Sequence, residues 1–211
     1  MQNKKNDLLN DVAEYYTTKL AEYGETPLGV DWNGEDGQIL RFEQLCKIVE
    51  PCEHFSLNDL GCGYGALYGF LLNKHEKLAY SGIDVAEVMI HAARQRYTDQ
   101  SQARFIISNK PDQIADYSIA SGIFNVRLGR TDDEWLAYLK STLDILNNNS
   151  SKGFAFNCLT SYSDRDKMRD YLYYADPCKL FDLCKRSYSR NVALLHDYGL
   201  YEFTILVRKQ A

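Results

Sequence analysis

Leu57–Phe70, LNDLGCGYGALYGF, places four glycines within nine positions, between an apolar approach and an apolar exit. Glycine earns such a density in a tight turn, or where backbone must come close to a ligand. FSLNDL before the glycines reads as a buried strand, and Gly65–Lys74 after them as a helix. A loop at that junction faces the unpaired N–H groups of a helix start.

Working outward from this loop, apolar runs alternate with helical segments. FSLNDL, LAYSGID, ARFIIS, YSIASGIF and GFAFNCL are strand-like, and the helices between them fall near Gly65–Lys74, Ala86–Tyr97, Asp112 (short) and Asp132–Leu146. Strands apolar throughout and separated by helices predict a parallel sheet covered on both faces. NNNSSKG reads as a loop leading into the fifth strand. NVALLHDYGLYEFTILVRK instead holds two strand-like runs joined at DYGL, an antiparallel hairpin. Upstream, residues 6–23 carry Leu8, Leu9, Val12, Tyr15, Tyr16, Leu20 and Tyr23 at helical spacing, with Gly24 as the stop. A second helix is predicted around Gln38–Glu50 before Pro51.

The chain of 211 residues suits one domain with a sizeable core. With 45% hydrophobic and 25% charged residues it has the composition of a globular protein. A formal net charge of −5, without a Lys/Arg block, argues against nucleic acid or an anionic membrane as partner. No run approaches the ~18 apolar residues of a membrane span. MQNKKNDLLNDVAEYY lacks the apolar region of a secretory signal. The six cysteines show no zinc-type spacing, so a reduced, cytoplasmic protein without a metal site is expected.

Asp84, at the end of LAYSGID, lies 21 residues beyond Gly63. An acid placed there can accept both hydroxyls of a ribose. Glycine loop and spaced acid together indicate an adenosine-type ligand. GCGYGA alone also fits G-x-G-x-x-A, a dinucleotide pattern. However, Asp59 stands two residues before Gly61, where it would repel a pyrophosphate and attract an ammonium group.

NDLGCGYG and SGIDVAEVMIHAAR resemble the first motif and the ribose-binding strand of the class I S-adenosylmethionine-dependent methyltransferases, and the terminal hairpin resembles that family's last two strands. The resemblance spans roughly residues 52–209. The layout is most similar to small-molecule enzymes of the trans-aconitate-methyltransferase kind. It implies a doubly wound seven-stranded, mostly parallel sheet in the order 3-2-1-4-5-7-6, with the last strand antiparallel and helices on both faces. Residues 1–51 would form an N-terminal helical lid, residues 52–211 the core, and 161–189 a cover of two short helices broken at Pro177.

On this reading S-adenosylmethionine is the cofactor and a small molecule the acceptor. The cofactor side comprises Asp59, the loop Gly61, Cys62, Gly63 and Gly65, then Asp84 with Val85 beside it. Asn109 stands where relatives carry an adenine-binding acid; its carboxamide can both accept and donate. Gly122 offers backbone to the methionine portion, and Arg41 reaches its carboxylate. Methyl transfer chiefly needs alignment and exclusion of water, with a base only for an acceptor that must lose a proton. Asn125 after strand four, and His196 and Tyr198 after strand six, are the candidate catalytic groups. A non-catalytic binding module on the same fold and a nicotinamide-dependent oxidoreductase are the alternatives. Whether the chain is monomer or homodimer is left open.

Overall fold

The computed structural model describes residues 2–75 and 77–209, and side chains from residue 7 onward. Two helices precede the sheet: α1 (Gln2–Tyr23) and α2 (Glu35–Cys46), joined through a short 3-10 turn at Pro27–Val30. The strands are β1 (Phe55–Leu60), β2 (Leu78–Asp84), β3 (Ala103–Ile107), β4 (Ala115–Ala120), β5 (Ser150–Leu159), β6 (Asn191–Leu195) and β7 (Glu202–Arg208). Between them run α3 (Ala66–Leu72), α4 (Glu87–Arg96), α5 (Asp132–Asn148) and α6 (Pro177–Ser187). The seven strands pair in the order β3-β2-β1-β4-β5-β7-β6, as the resemblance implies. β7 runs antiparallel to both β5 and β6, and the remaining pairs are parallel.

Alternation along the central strands divides the core. Leu57, Tyr80, Tyr117, Ile119 and Leu206 pack with Leu45 of α2, Tyr68 of α3 and Ile90 of α4 on one face. Phe154, Phe156, Phe203 and Ile205 pack with Leu139 and Leu143 of α5 and Leu180 of α6 on the other. The crossovers therefore change face between β1 and β4, the place where such a sheet opens a crevice at its carboxyl edge. α5 contributes a wall of that crevice. Its start is a capping box, in which the Thr131 hydroxyl accepts from Glu134 N and the Glu134 carboxylate accepts from Thr131 N. Thr131→Ala should lower stability by about 1 kcal/mol in thermal melting.

Several local expectations are corrected. No helix forms near Asp112; residues 108–114 bend, and Asp112 pairs with Arg104. NNNSSKG is not a loop, because α5 continues to Asn148 and β5 begins at Ser150. β4 stops at Ala120, short of Phe124, since Gly122 turns the chain with φ +77. Residues 161–189 hold one 3-10 turn, Arg165–Lys167, and one helix. Pro177 opens that helix rather than breaking it: it occupies the first turn, while the Asp176 carboxylate caps the N–H groups of Cys178 and Lys179. Among the described residues no helix is long and apolar enough to cross a membrane.

Candidate active site

A cleft opens at the carboxyl ends of β1, β2 and β4, enclosing about 1020 Å³ of atom-free space, its open mouth included. Gly61, Cys62, Gly63, Asp84, Ser121 and Gly122 bring backbone and polar atoms to its floor. Leu9, Val12 and Tyr16 of α1 and Val30 and Trp32 of the following turn close it from above. Tyr138 and Thr142 of α5 stand at its side.

The glycines answer different needs. Gly61 has φ +79, and a Cβ there would lie 2.1 Å from Ile123 Cγ2. The turn is pinned from the next strand, with Gly61 N and Cys62 N both donating to Ile83 O at 2.7 and 3.1 Å. Gly63 has φ +55, and its N–H donates to Asp84 Oδ2 at 2.9 Å. Gly65, expected at the cofactor, does not line the cleft. A Cβ there would stand 2.7 Å from Tyr97 Cε2, and its carbonyl accepts from the Tyr97 hydroxyl. Its role is to seat α3 against the aromatic core.

Asp84 holds the loop as well as facing the cleft. Oδ2 takes Gly63 N at 2.9 Å and Oδ1 takes Ala86 N at 2.8 Å, and the Val85 amide also bears on the carboxylate. Burial raises its pKa, and these amide bonds work against that rise. Val85 after β2, and Ser108 and the exposed Asn109 after β3, line the same end. Asp59 is only 2% exposed; one of its oxygens accepts from the Tyr80 hydroxyl at 2.5 Å. Burial pushes its carboxyl up to about 7, Tyr80 opposing and the charge of Asp84 adding to the shift. Burial, with both acids nearby, also holds the Cys62 thiol well above its ordinary value, so it is a wall rather than a nucleophile.

The donor set suits a cationic ligand. Two carboxylates line the cleft, and among the described residues no Lys, Arg or His does. The Ser121 hydroxyl, also on the cleft, is buried with no protein partner. A pyrophosphate would meet two acids and no base, whereas an ammonium or sulfonium would be held.

A second cleft continues from the first across Tyr16, Val30, Trp32 and Gly122, which line both. It encloses about 1770 Å³, solvent at its mouth included, and is walled by Tyr171, Tyr174, Leu159, Leu200, Arg41 and Asn125 among others. Arg41 belongs here and not to the first cleft. Its Nε and Nη2 pair with Glu202 at 2.9 and 2.8 Å, so in place of the expected cofactor contact the structure shows an internal ion pair beside the second cleft. Asn125 also lines this space, but its Oδ1 accepts from Leu159 N at 3.0 Å and serves as a backbone tie.

His196 and Tyr198 line neither cleft. His196 is exposed against the rings of Tyr162 and Phe203, and Tyr198 bonds Thr204 Oγ1 at 3.1 Å. Both follow β6, the outermost strand, four strands from β1. At about 4.8 Å per strand that is roughly 19 Å from the glycine loop. Glu202 was not anticipated. Its signal in the sequence is an acid opening the apolar run EFTILV, and it proves 1% exposed.

Fold and first cleft together define a doubly wound protein with an acidic cleft suited to a cation at the carboxyl edge of its sheet. Residues 58–149 match the family described as "Methyltransferase domain". Over 163 residues the chain is 62% identical to "Putative methyltransferase Rv1506c" of Mycobacterium tuberculosis, covering 77% of this chain and 98% of that protein. The chain belongs to the class I S-adenosylmethionine-dependent methyltransferase superfamily. Among solved structures, a DhpI–SAM–HEP complex aligns with TM-score 0.66 at 14% identity, over 96% of this chain and 98% of that one. Magnesium protoporphyrin IX methyltransferase from Synechocystis PCC 6803, with bound SAM, aligns with TM-score 0.55 at 12% identity, over 83% and 77%. At such identities these two share the fold.

Proposed function

We propose that the protein binds S-adenosylmethionine in the first cleft and transfers its methyl group to a small-molecule acceptor held in the second. The observation that carries this reading is the pair of acids, Asp59 and Asp84, on a cleft that opens into a second one through an apolar junction. Asp84 offers its remaining acceptor capacity to a ribose diol, and the free oxygen of Asp59 receives an ammonium group. Asn109 and Ser108 stand where a purine edge would lie. The bound cofactor supplies an electrophilic methyl on its sulfonium, open to in-line attack.

The chain's own work is then to bind, align and keep water out. Tyr16, Val30 and Trp32 form the dry passage between the clefts. Burial, reinforced by Asp31 and Asp84, keeps the Tyr16 phenol protonated, so it can donate to a reacting group but not take a proton from one. Asp31 already accepts from the Tyr15 hydroxyl and Lys19, and Glu202 from Arg41 and Asn157. Neither carboxylate is placed as a free base. α1, strapped by the ion pair Asp11–Arg130, with the turn after it held by Glu25–Arg96, acts as the lid.

Calorimetry with S-adenosylhomocysteine tests the reading. Tight binding is expected, weakened roughly a hundredfold or more in Asp84→Ala, because two charge-assisted bonds of about 1.5–3 kcal/mol each disappear. No heat from the unaltered protein would remove the proposal. A screen of small metabolites with methyl-labelled S-adenosylmethionine then identifies the acceptor by product mass. Binding without label transfer to any metabolite would instead favour a non-catalytic module.

A further inference from the structure

The junction between the clefts is held by a closed circuit of side chains drawn from five parts of the chain. The Gly122 N–H donates to Asn157 Oδ1 at 2.7 Å. Asn157 Nδ2 donates to Glu202 Oε2 at 2.8 Å. Arg41 grips the same carboxylate with two bonds, Nε to Oε2 and Nη2 to Oε1. Its guanidinium carbon lies 3.9 Å from the centre of the Trp32 ring system. The indole closes the circuit by abutting Gly122, where a Cβ would fall 2.4 Å from Trp32 Cζ2. Asn157 and the Glu202 side chain are fully enclosed, and the Arg41 side chain is 11% exposed.

The sense of every bond is fixed. Glu202 receives three N–H donors, so Asn157 must turn its amide nitrogen to that carboxylate and its oxygen to Gly122. A buried ion pair is poor evidence for stability; what this one fixes is the relative placing of Arg41, Asn157 and Glu202. The two residues that meet where the circuit closes, Trp32 and Gly122, are also two of the four that line both clefts.

We propose that Glu202, Asn157 and Arg41 are positioning residues for methyl transfer, acting through Gly122 and Trp32 to set the width and direction of the passage between donor and acceptor. The catalytic meaning of this assignment rests on the methyl transfer proposed above; the holding of Trp32 does not. None of the three side chains lines the cofactor cleft, where Trp32 and Gly122 do, while Arg41 and Glu202 line the second; methyl transfer should therefore suffer far more than cofactor affinity.

The test compares the unaltered protein with Glu202→Gln and Arg41→Lys. In Glu202→Gln the new amide N–H groups face the donors of Arg41 or Asn157, and the circuit opens. Trp32 and Trp135 are the only tryptophans, and Trp135 is wholly enclosed, so acrylamide quenching reports on Trp32, with Trp32→Phe as the spectral control. Quenching should rise roughly twofold or more as the stacked guanidinium leaves the ring. Affinity for S-adenosylhomocysteine should stay within about threefold, under 1 kcal/mol. Label transfer from methyl-labelled S-adenosylmethionine to a small-metabolite pool should fall roughly tenfold to a hundredfold, the usual cost of misalignment.

Unchanged quenching and unchanged transfer would overturn the proposal. So would transfer that falls only in proportion to weakened cofactor binding, which would mark general damage to the cradle. If Glu202→Gln does not fold, Arg41→Lys carries the same readouts from a side chain at the cleft. Should the unaltered protein bind no S-adenosylhomocysteine, the functional reading fails, while quenching still decides whether the circuit holds Trp32.

Discussion

Gly61→Ala should lose both its stability margin and its ligand. At φ +79 an L-residue is strained by about 1–2 kcal/mol. The added methyl also meets Ile123 Cγ2 at 2.1 Å, a distance no packed interior tolerates without displacement, and overpacking of this kind costs about 1–3 kcal/mol. Together these give roughly 2–5 kcal/mol, or a melting temperature lower by about 5–15 °C in a chain of this size. The displaced loop carries Gly61 N and Cys62 N away from Ile83 O, and Gly63 N away from Asp84, so S-adenosylhomocysteine binding should be lost even at temperatures where the variant is folded. The double variant Gly61→Ala/Ile123→Ala separates the causes. It removes the collision and keeps the strained φ, and should recover part of the melting temperature. Full recovery would show that backbone conformation at this position is immaterial.

The affinity of the first cleft for an ammonium-bearing ligand should depend steeply on pH, through Asp59. Its carboxyl, enclosed beside Tyr80 and Asp84, titrates at about 7 rather than in the ordinary range near 4. A cationic ligand needs the ionised form, so binding below pH 7 expels a proton. Affinity should rise about tenfold per pH unit up to that point and then level off, amounting to ~50-fold between pH 5 and pH 7. Calorimetry in buffers of different ionisation enthalpy would count the proton released. Asp59→Asn should flatten the profile and weaken binding throughout. The sign for folding is opposite. Because the folded-state pKa lies above the unfolded value, the ligand-free fold binds the extra proton, and Asp59 costs stability as pH rises from about 4 through 7. Ligand-free protein should therefore melt at lower temperature at pH 8 than at pH 6 on account of this group, and saturating ligand should cancel the trend. A ligand-free melting temperature that does not change over this range in the unaltered protein, matching Asp59→Asn, would refute the assignment.

Much of this was legible in the amino-acid sequence because the signals are local. FSLNDL and LAYSGID are bounded by turn-forming residues and apolar within, and they match β1 and β2 residue for residue. The glycine loop and Asp84 lie within one β–α–β unit, so spacing alone brings them together. What failed was lateral. His196 and Tyr198 follow a strand that ends at the same edge of the sheet as the glycine loop, and in that respect the expectation was sound. The order 3-2-1-4-5-7-6 already puts β7 between β5 and β6; the local sequence does not show that this carries the two residues out of reach of the cleft. Arg41 was recognised as a cation near the ligand, yet its partner lies 161 residues away, and no periodicity connects two such positions. Gly65 was misread for the opposite reason: within a motif, glycines that fit a ligand and glycines that fit a neighbouring tyrosine look alike.

The reversed course of β7 has a consequence for how the molecule assembles. A parallel strand would deliver its final residue to the ligand edge; this one delivers its first, Glu202. The ribosome therefore completes β1 through β5 before making the acid that Arg41, from near the beginning, must clasp. That clasp is among the longest loops to close, and such contacts form slowly. During synthesis the nascent molecule passes through a stage with a nearly finished nucleoside cradle and an unlatched amino-terminal arm.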